Sequence, residues 1–295
     1  MELFSCYLRD NFVFSFMQIK YSKYHALGND FVIIYKPISK IKKEDLPVFT
    51  RNLCHRQTGV GADGVIYVSD SKTDDAKLDL YNADGSWAEK SGNGLRITAY
   101  HCFLKNKKKM KFIFEMAGEH IQAVILDENE KCCNVKTELG MPFFETKKVP
   151  IKSQQEYMIQ SELLIGGEKF PVTCLNIGNP HAVLFVENFD FDWKTLGEEI
   201  EHLQVFPERT NVEFVKIVSR KKLIVADWER GAGATGSSGT GAAAAVCAGV
   251  MSAHADRKCE VKFETGSLFI DWDEITNIVN LTGPVVKICD GIYYY

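Results

Sequence analysis

Two serines, Ser91 and Ser238, lie 147 residues apart, and each opens a Ser-Gly-x-Gly turn: SGNG at 91–94 and SGTG at 238–241. Helix-compatible sequence follows both turns. A helix start offers unpaired backbone N–H groups and a partial positive charge, so it attracts carboxylate or phosphate. Glycines at 92, 94, 239 and 241 let the backbone approach an anion without an intervening Cβ. Two such ends, brought together by pseudo-symmetry, would clamp one carboxylate and set Ser91 and Ser238 on opposite faces of the adjacent carbon. That geometry suits removal of an α-proton on one face and its return on the other. Backbone donors would stabilise the charge that develops on the carboxylate, and each face would carry one acid/base. The expected reaction is racemisation or epimerisation without a cofactor. Taken singly, each turn also reads as an ordinary N-cap, because Ser is a favoured cap and glycine-rich strand-to-helix turns are common. The duplication is what favours a shared site.

The elements that would position these turns emerge when the chain is compared with itself. HALGNDFVIIY at 25–35 resembles LNIGNPHAVLF at 175–185, each a turn feeding an apolar strand. RQTGVGADGVIYV at 56–68 lies at a similar offset from RTNVEFVKIV at 209–218, a polar turn before a β-rich run. LDLYN at 78–82 leads through a glycine-containing loop to Ser91, as LIVADWE at 223–229 leads to Ser238; Asn82 and Glu229 each stand nine positions before their serine. The three matches keep their order, with offsets of 147 to 150 residues for the first and third, about half the chain.

Stretches 92–105 and 239–255 are expected as helices, the second apolar on nearly every face and therefore buried. The expected fold is α/β of the α+β type. It has two pseudo-symmetric domains, each a mainly antiparallel sheet wrapped around a central buried helix whose N-terminus faces the other half. The expected boundaries are 17–138, joined by the C-terminal tail 284–295, and 139–283, with 1–16 as an extension. The segment from about 134 to 145, containing Gly140 and Pro142, is the expected crossing. The basic run 105–111 reads as a solvated helix end and loop.

At 295 residues, 45% hydrophobic and 25% charged with a net charge of -4, the chain is globular and offers no polyanion-binding character, so nucleic acid is not an expected partner. Nine cysteines, with no C-x-x-C pair, read as reduced thiols in a cytoplasm. Residues 1–16 lack a basic n-region and a cleavage site, which argues against a signal peptide, and Met17 is a plausible alternative start. No apolar run is long enough for a membrane span.

HALGNDF, GVGADG, NADGS followed by SGNG, IGNPH, RTNVEF, WERGAG and SGTGA, in this order from about Met17 to Pro284, resemble the diaminopimelate epimerase family. The resemblance implies a cofactor-free, metal-free enzyme that interconverts LL- and meso-diaminopimelate in lysine and cell-wall precursor synthesis. Its two pseudo-symmetric α/β domains would hold the active site in the cleft between them. It further implies substrate contacts at Asn29, Asn82, Asn179, Asn211 and Arg230. Arg230 would pair with the distal carboxylate, and the backbone of Gly92, Asn93, Gly239 and Thr240 would hold the reacting one. His181 and Glu229 match residues beside the catalytic pair. A homodimer remains open.

The family's catalytic pair is cysteine at the positions of Ser91 and Ser238. An alcohol deprotonating near water's ~15.7 against a thiol near ~8.5 is disfavoured as a base by roughly 10 kcal/mol, and a helix start returns only about 0.3 to 2 kcal/mol. Three readings follow. In the first, a neighbouring base (His181, Glu229 or Lys90) activates serine in an epimerase or in a racemase for another amino acid. In the second, the chain is a silent relative that binds an amino acid or regulates a true epimerase. In the third, the GAGATG stretch at 231–236 belongs to a dinucleotide site, with Glu264 as its acidic partner. The glycine turn that follows that stretch, matched in the other half, argues against the third.

Overall fold

The computed structural model describes residues 17–36, 41–88 and 91–295. The extension 1–16 and Lys90 lie outside the described residues.

The first half runs β1 (Gln18–Ala26), β2 (Asn29–Tyr35), α1 (Leu46–Cys54), β3 (Gly64–Ser69), β4 (Ala76–Asn82), β5 (Trp87–Ala88), α2 (Gly92–Lys105), β6 (Lys111–Met116), β7 (Glu119–Glu128) and β8 (Cys133–Gly140). The second half runs β9 (Ser161–Ile165), β10 (Glu168–Asn176), β11 (Pro180–Phe185), α3 (Trp193–Glu201), β12 (Asn211–Ser219), β13 (Lys222–Glu229), β14 (Gly233–Ala234), α4 (Gly239–Met251), β15 (Lys258–Phe263), β16 (Gly266–Trp272) and β17 (Val279–Tyr294).

Pairing β1-β2-β3-β4-β6-β7-β8-β17 and back to β1 closes a ring of eight strands. The ring wraps around α2, whose residues Gly94–His101 are buried. The second half repeats the order around α4, and β8 is extended toward β10 by a bridge between Phe143 and Asn176. Strand β17 serves both halves: Val279–Val285 pairs with β8, and Val286–Tyr294 with β1.

The parallel pairs recur at matching places. They are β2 with β3 and β4 with β6 in one half, and β11 with β12 and β13 with β15 in the other. A parallel pair needs a crossover connection, and here every crossover carries a helix. Helices α2 and α4 go inside, α1 and α3 outside. Strands β2, β3 and β11 are therefore covered on both faces and read as continuous apolar runs, whereas β6, β8 and β15 alternate between buried and accessible positions. The fold is thus the expected one: two pseudo-symmetric halves, each a mainly antiparallel sheet around a buried helix.

Two details differ from the sequence reading, and a third agrees with its argument against a dinucleotide site. The second internal match was aligned on Arg56 and Arg209, but strand register aligns Gly64 with Asn211, since Phe31 sits opposite Gly64 and His181 opposite Asn211. Arg56 binds Asp30 and Asp63, whereas Arg209 binds Glu201, so the two arginines are not counterparts. Helix α4 ends at Met251 rather than 255. Ala253 has φ +60 and the chain turns back so that His254 N donates to Gly249 O, with no room for a Cβ on Gly249 against Ala255. Finally, Gly233–Ala234 forms a hairpin strand on β13 and the helix begins only at Gly239, so the 231–236 glycines do not make the strand-to-helix turn of a dinucleotide site.

Candidate active site

Each serine caps its helix. Ser91, with extended φ -147, accepts from Gly94 N at 3.1 Å, and Ser238, with φ -127, accepts from Gly241 N at 3.1 Å. The helix starts converge on one spot. A Cβ added to Gly92 would lie 3.3 Å from Leu281 Cδ2 and 3.8 Å from Arg96 Nη1; on Gly239 the distances would be 3.0 and 3.9 Å. The halves also touch where Ser237 Oγ donates to Leu27 O.

Arg96 is the least expected member of this site. It is fully buried, with Nε and Nη1 unpartnered and Nη2 donating to Asn93 Oδ1 at 2.6 Å. Burial pulls its pKa down to about 10, so it stays charged at neutral pH. Beside two positive helix ends, this charge makes the spot strongly attractive to an anion. From Asn93 a chain of bonds leads outward: Asn93 Nδ2 donates to Asn29 Oδ1, and Asn29 Nδ2 donates to Asp63 Oδ2. Arg56 ties Asp63 to Asp30, which Lys23 also binds. Burial pushes the Asp30 carboxyl up, but Arg56 and Lys23 together hold it below its ordinary value. The amide orientations of Asn29 and Asn93 are thereby set from both ends.

The Ser238 side carries acids and a histidine. His181 is buried, its Nδ1 2.7 Å from Glu213 Oε1 and its Nε2 2.7 Å from Asn179 Oδ1. Burial raises the Glu213 carboxyl, and His181 opposes that shift. Burial also raises Glu229, while the Thr235 hydroxyl, His181 and the Ser238 hydroxyl pull it down. Asp227 is pushed up to about 7 by burial and then by Glu229. In the first half the corresponding register positions are apolar or neutral: Phe31 for His181, Ile66 for Glu213, Leu80 for Asp227 and Asn82 for Glu229.

Of the remaining expected residues, some lie at the two serine turns and three lie away from them. Asn29 and Asn93 meet at the Ser91 turn, and Asn179, His181, Glu229, Gly239 and Thr240 lie at or near the Ser238 turn. Asn211 is buried with both ends of its amide on backbone, Nδ2 to Pro180 O and Oδ1 from Arg230 N, so it braces the strand end beneath Arg230. Arg230 is exposed and its side chain donates to Glu208 O, and Asn82 is exposed and bonded to Ser86. A groove of about 690 Å³ lined by parts of β1, β2 and the end of β17 contains none of these residues.

Sequence reasoning missed Arg96, Glu213, Asp227 and Thr235. A signal existed for three of them: Arg96, Glu213 and Asp227 are charges inside apolar runs, and charges are seldom buried without a task.

The diaminopimelate epimerase family model matches residues 21–144 and 173–288. A diaminopimelate epimerase of Moorella thermoacetica is 37% identical over 273 residues, covering 91% of this chain and 97% of its own. One from Rippkaea orientalis is 36% identical over 282 residues, covering 94% and 99%. Among solved structures, a hydroxyproline epimerase from Agrobacterium vitis superposes with TM-score 0.65 at 11% identity, covering 94% of this chain and 91% of its own. A probable proline racemase from Agrobacterium radiobacter superposes with TM-score 0.66 at 13% identity, covering 92% of each chain. The solved structures share the fold. With a family model spanning both halves and relatives more than a third identical over nearly the full length, the chain belongs to the diaminopimelate epimerase family.

Proposed function

We propose that the chain is a cofactor-independent epimerase acting on diaminopimelate, its reacting carboxylate held between the starts of α2 and α4 and its α-carbon flanked by Ser91 and Ser238. The observation that carries this reading is the convergence of Gly92 and Gly239 on Leu281 and Arg96, which brings two sets of helix-start backbone donors and a buried positive charge close together. The names of the relatives supply the substrate. Arg230, whose guanidinium is exposed, takes the distal carboxylate. Glu229 is the base that receives the Ser238 proton, an assignment supported by the influence of that hydroxyl on its carboxyl. A cytoplasmic setting fits the free thiol state of every described cysteine.

Serine in place of the family's cysteines makes the parent form slow, by the thiol-alcohol gap of roughly 10 kcal/mol less whatever the neighbouring base and helix end return. The deciding experiment restores both thiols, Ser91→Cys with Ser238→Cys, and follows solvent deuterium into Cα of LL- and meso-diaminopimelate for both forms. Exchange in the restored form, with slower exchange in the parent, is expected; no exchange in either form with any stereoisomer overturns the proposal. A second reading, an amino-acid binder without turnover, is favoured by the use of both serine oxygens as helix caps. Calorimetric binding of diaminopimelate to the parent with no exchange selects it.

A further inference from the structure

Asp227 occupies a position where the fold itself has no use for an acid. Its cross-strand partner is Glu213, and the same pair of positions in the first half holds Leu80 and Ile66. Both acids are buried, 2% and 1% exposed, and each keeps one oxygen, Asp227 Oδ1 and Glu213 Oε2, without a partner. Two like charges directly opposed across a ladder are destabilising, and a buried orphan oxygen adds to the cost. Stability given up in this way beside a reactive centre points to function.

The hydrogen bonds around Asp227 narrow what that function can be. Thr235 Oγ1 stands 2.8 Å from Asp227 Oδ2 and also bonds Glu229 Oε1. A hydroxyl carries one hydrogen, so it donates to one carboxyl oxygen, and the contact with the other needs a carboxyl proton. Resting on the proposed role of Glu229, we propose that Asp227 is a positioning residue that shares one proton with Glu229 through the Thr235 hydroxyl and thereby sets the protonation of Ser238. With one proton between two carboxyls, the pair holds a vacancy on Glu229 as the Ser238 hydroxyl gives up its proton, while Ser238 Oγ takes the α-proton. The Cα–H bond breaks, an O–H bond forms on Ser238, and the serine's former proton ends on Glu229. The groups that face the pair are Glu213 from β12, His181 from β11, and Thr235 and Ser238 from the turn before α4. Their sum leaves a carboxyl that titrates near neutrality rather than near 4.

Two measurements test this without turnover. In full-length protein with ¹³C-labelled aspartate, one carboxyl signal should titrate near neutral pH, vanish in Asp227→Asn, and move down by a unit or more in Glu229→Gln. In Ser238→Cys, thiolate absorbance should titrate a unit or more lower once Asp227→Leu removes a negative charge, and Leu80 shows that this strand position accepts leucine. Aspartates that all finish titrating below pH 5, or a Ser238→Cys thiol indifferent to Asp227, overturn the inference. Both titrations as expected, with no deuterium exchange in the same protein, count against the epimerase reading alone.

Discussion

Gly92 and Gly239, half a chain apart, face the same methyl of Leu281 and the same Nη1 of Arg96. That relationship brings two separate N-caps together: neither helix start alone has the second set of donors, and Arg96 lies beside both. The charge has no carboxylate partner among the described residues, and the proposed substrate carboxylate would supply one.

Replacing Arg96 tests that dependence. Arg96→Met removes a buried cation with two unpartnered nitrogens, so the folded state should hold or gain stability. Affinity for diaminopimelate should fall at least tenfold, read by calorimetry, with Arg96→Lys recovering part of it. If Met and Lys bind alike, the charge plays no part in anion binding.

Gly239→Ala should separate helix stability from site function. Alanine in a helix is worth up to ~1 kcal/mol over glycine, here offset by the 3.0 Å contact of the new Cβ with Leu281. The melting temperature should stay within a few degrees while ligand affinity drops, because the methyl shields the backbone donors. Gly118→Ala, with open space around its Cβ but φ +81, should instead cost stability and leave binding intact.

Asp227 makes stability depend on pH in a defined direction. Its folded carboxyl is raised, by burial and Glu229, to about 7, against 3.8 when unfolded. Between those values the native state binds more protons than the unfolded one, so stability should fall as pH rises from 4 to 7 and then level off. Asp227→Leu should remove that slope and be more stable than the parent at pH 8, by up to about 4 kcal/mol. Urea denaturation at pH 4 and pH 8 reads the difference; an equal gap at both values rules it out.

His101 works in the opposite sense. Burial first, and then Lys105 and Lys287, lower its pKa from 6.5 to about 4, and its Nδ1 bonds the Tyr24 hydroxyl at 2.9 Å. The unfolded chain binds the extra proton below 6.5, so stability should be lost as pH falls from 6.5 to 4. His101→Gln, which can still accept from Tyr24, should flatten that limb in thermal melts at stepped pH. An unchanged limb would assign the acid sensitivity elsewhere.

Much of the fold was legible because the duplication preserves local signals: the Gly28 and Gly178 turns, with φ +91 and +93, and the two capped helix starts follow from residue type alone. The arginine match at 56 and 209 misled because two similar residues outweighed the strand register, which no local pattern encodes. The acid cluster was hidden for a related reason. Glu213 and Asp227 lie fourteen residues apart on different strands, and only pairing brings them opposite each other.

The sequence by itself determined the repeat, the turns, the helix starts and the family, since each rests on short-range chemistry of glycine, serine and apolar periodicity. Only the tertiary structure decided that Leu281 and Arg96 sit beside both helix starts, that the Asn211 amide bonds the backbone of Pro180 and Arg230, and that Glu213 and Asp227 face each other in the core of the second half. Those facts depend on which strands pair, in which register, and on which helix goes inside each ring. Such choices are settled by burial across the whole chain, because a one-residue slip would turn every side chain of a strand to the other face.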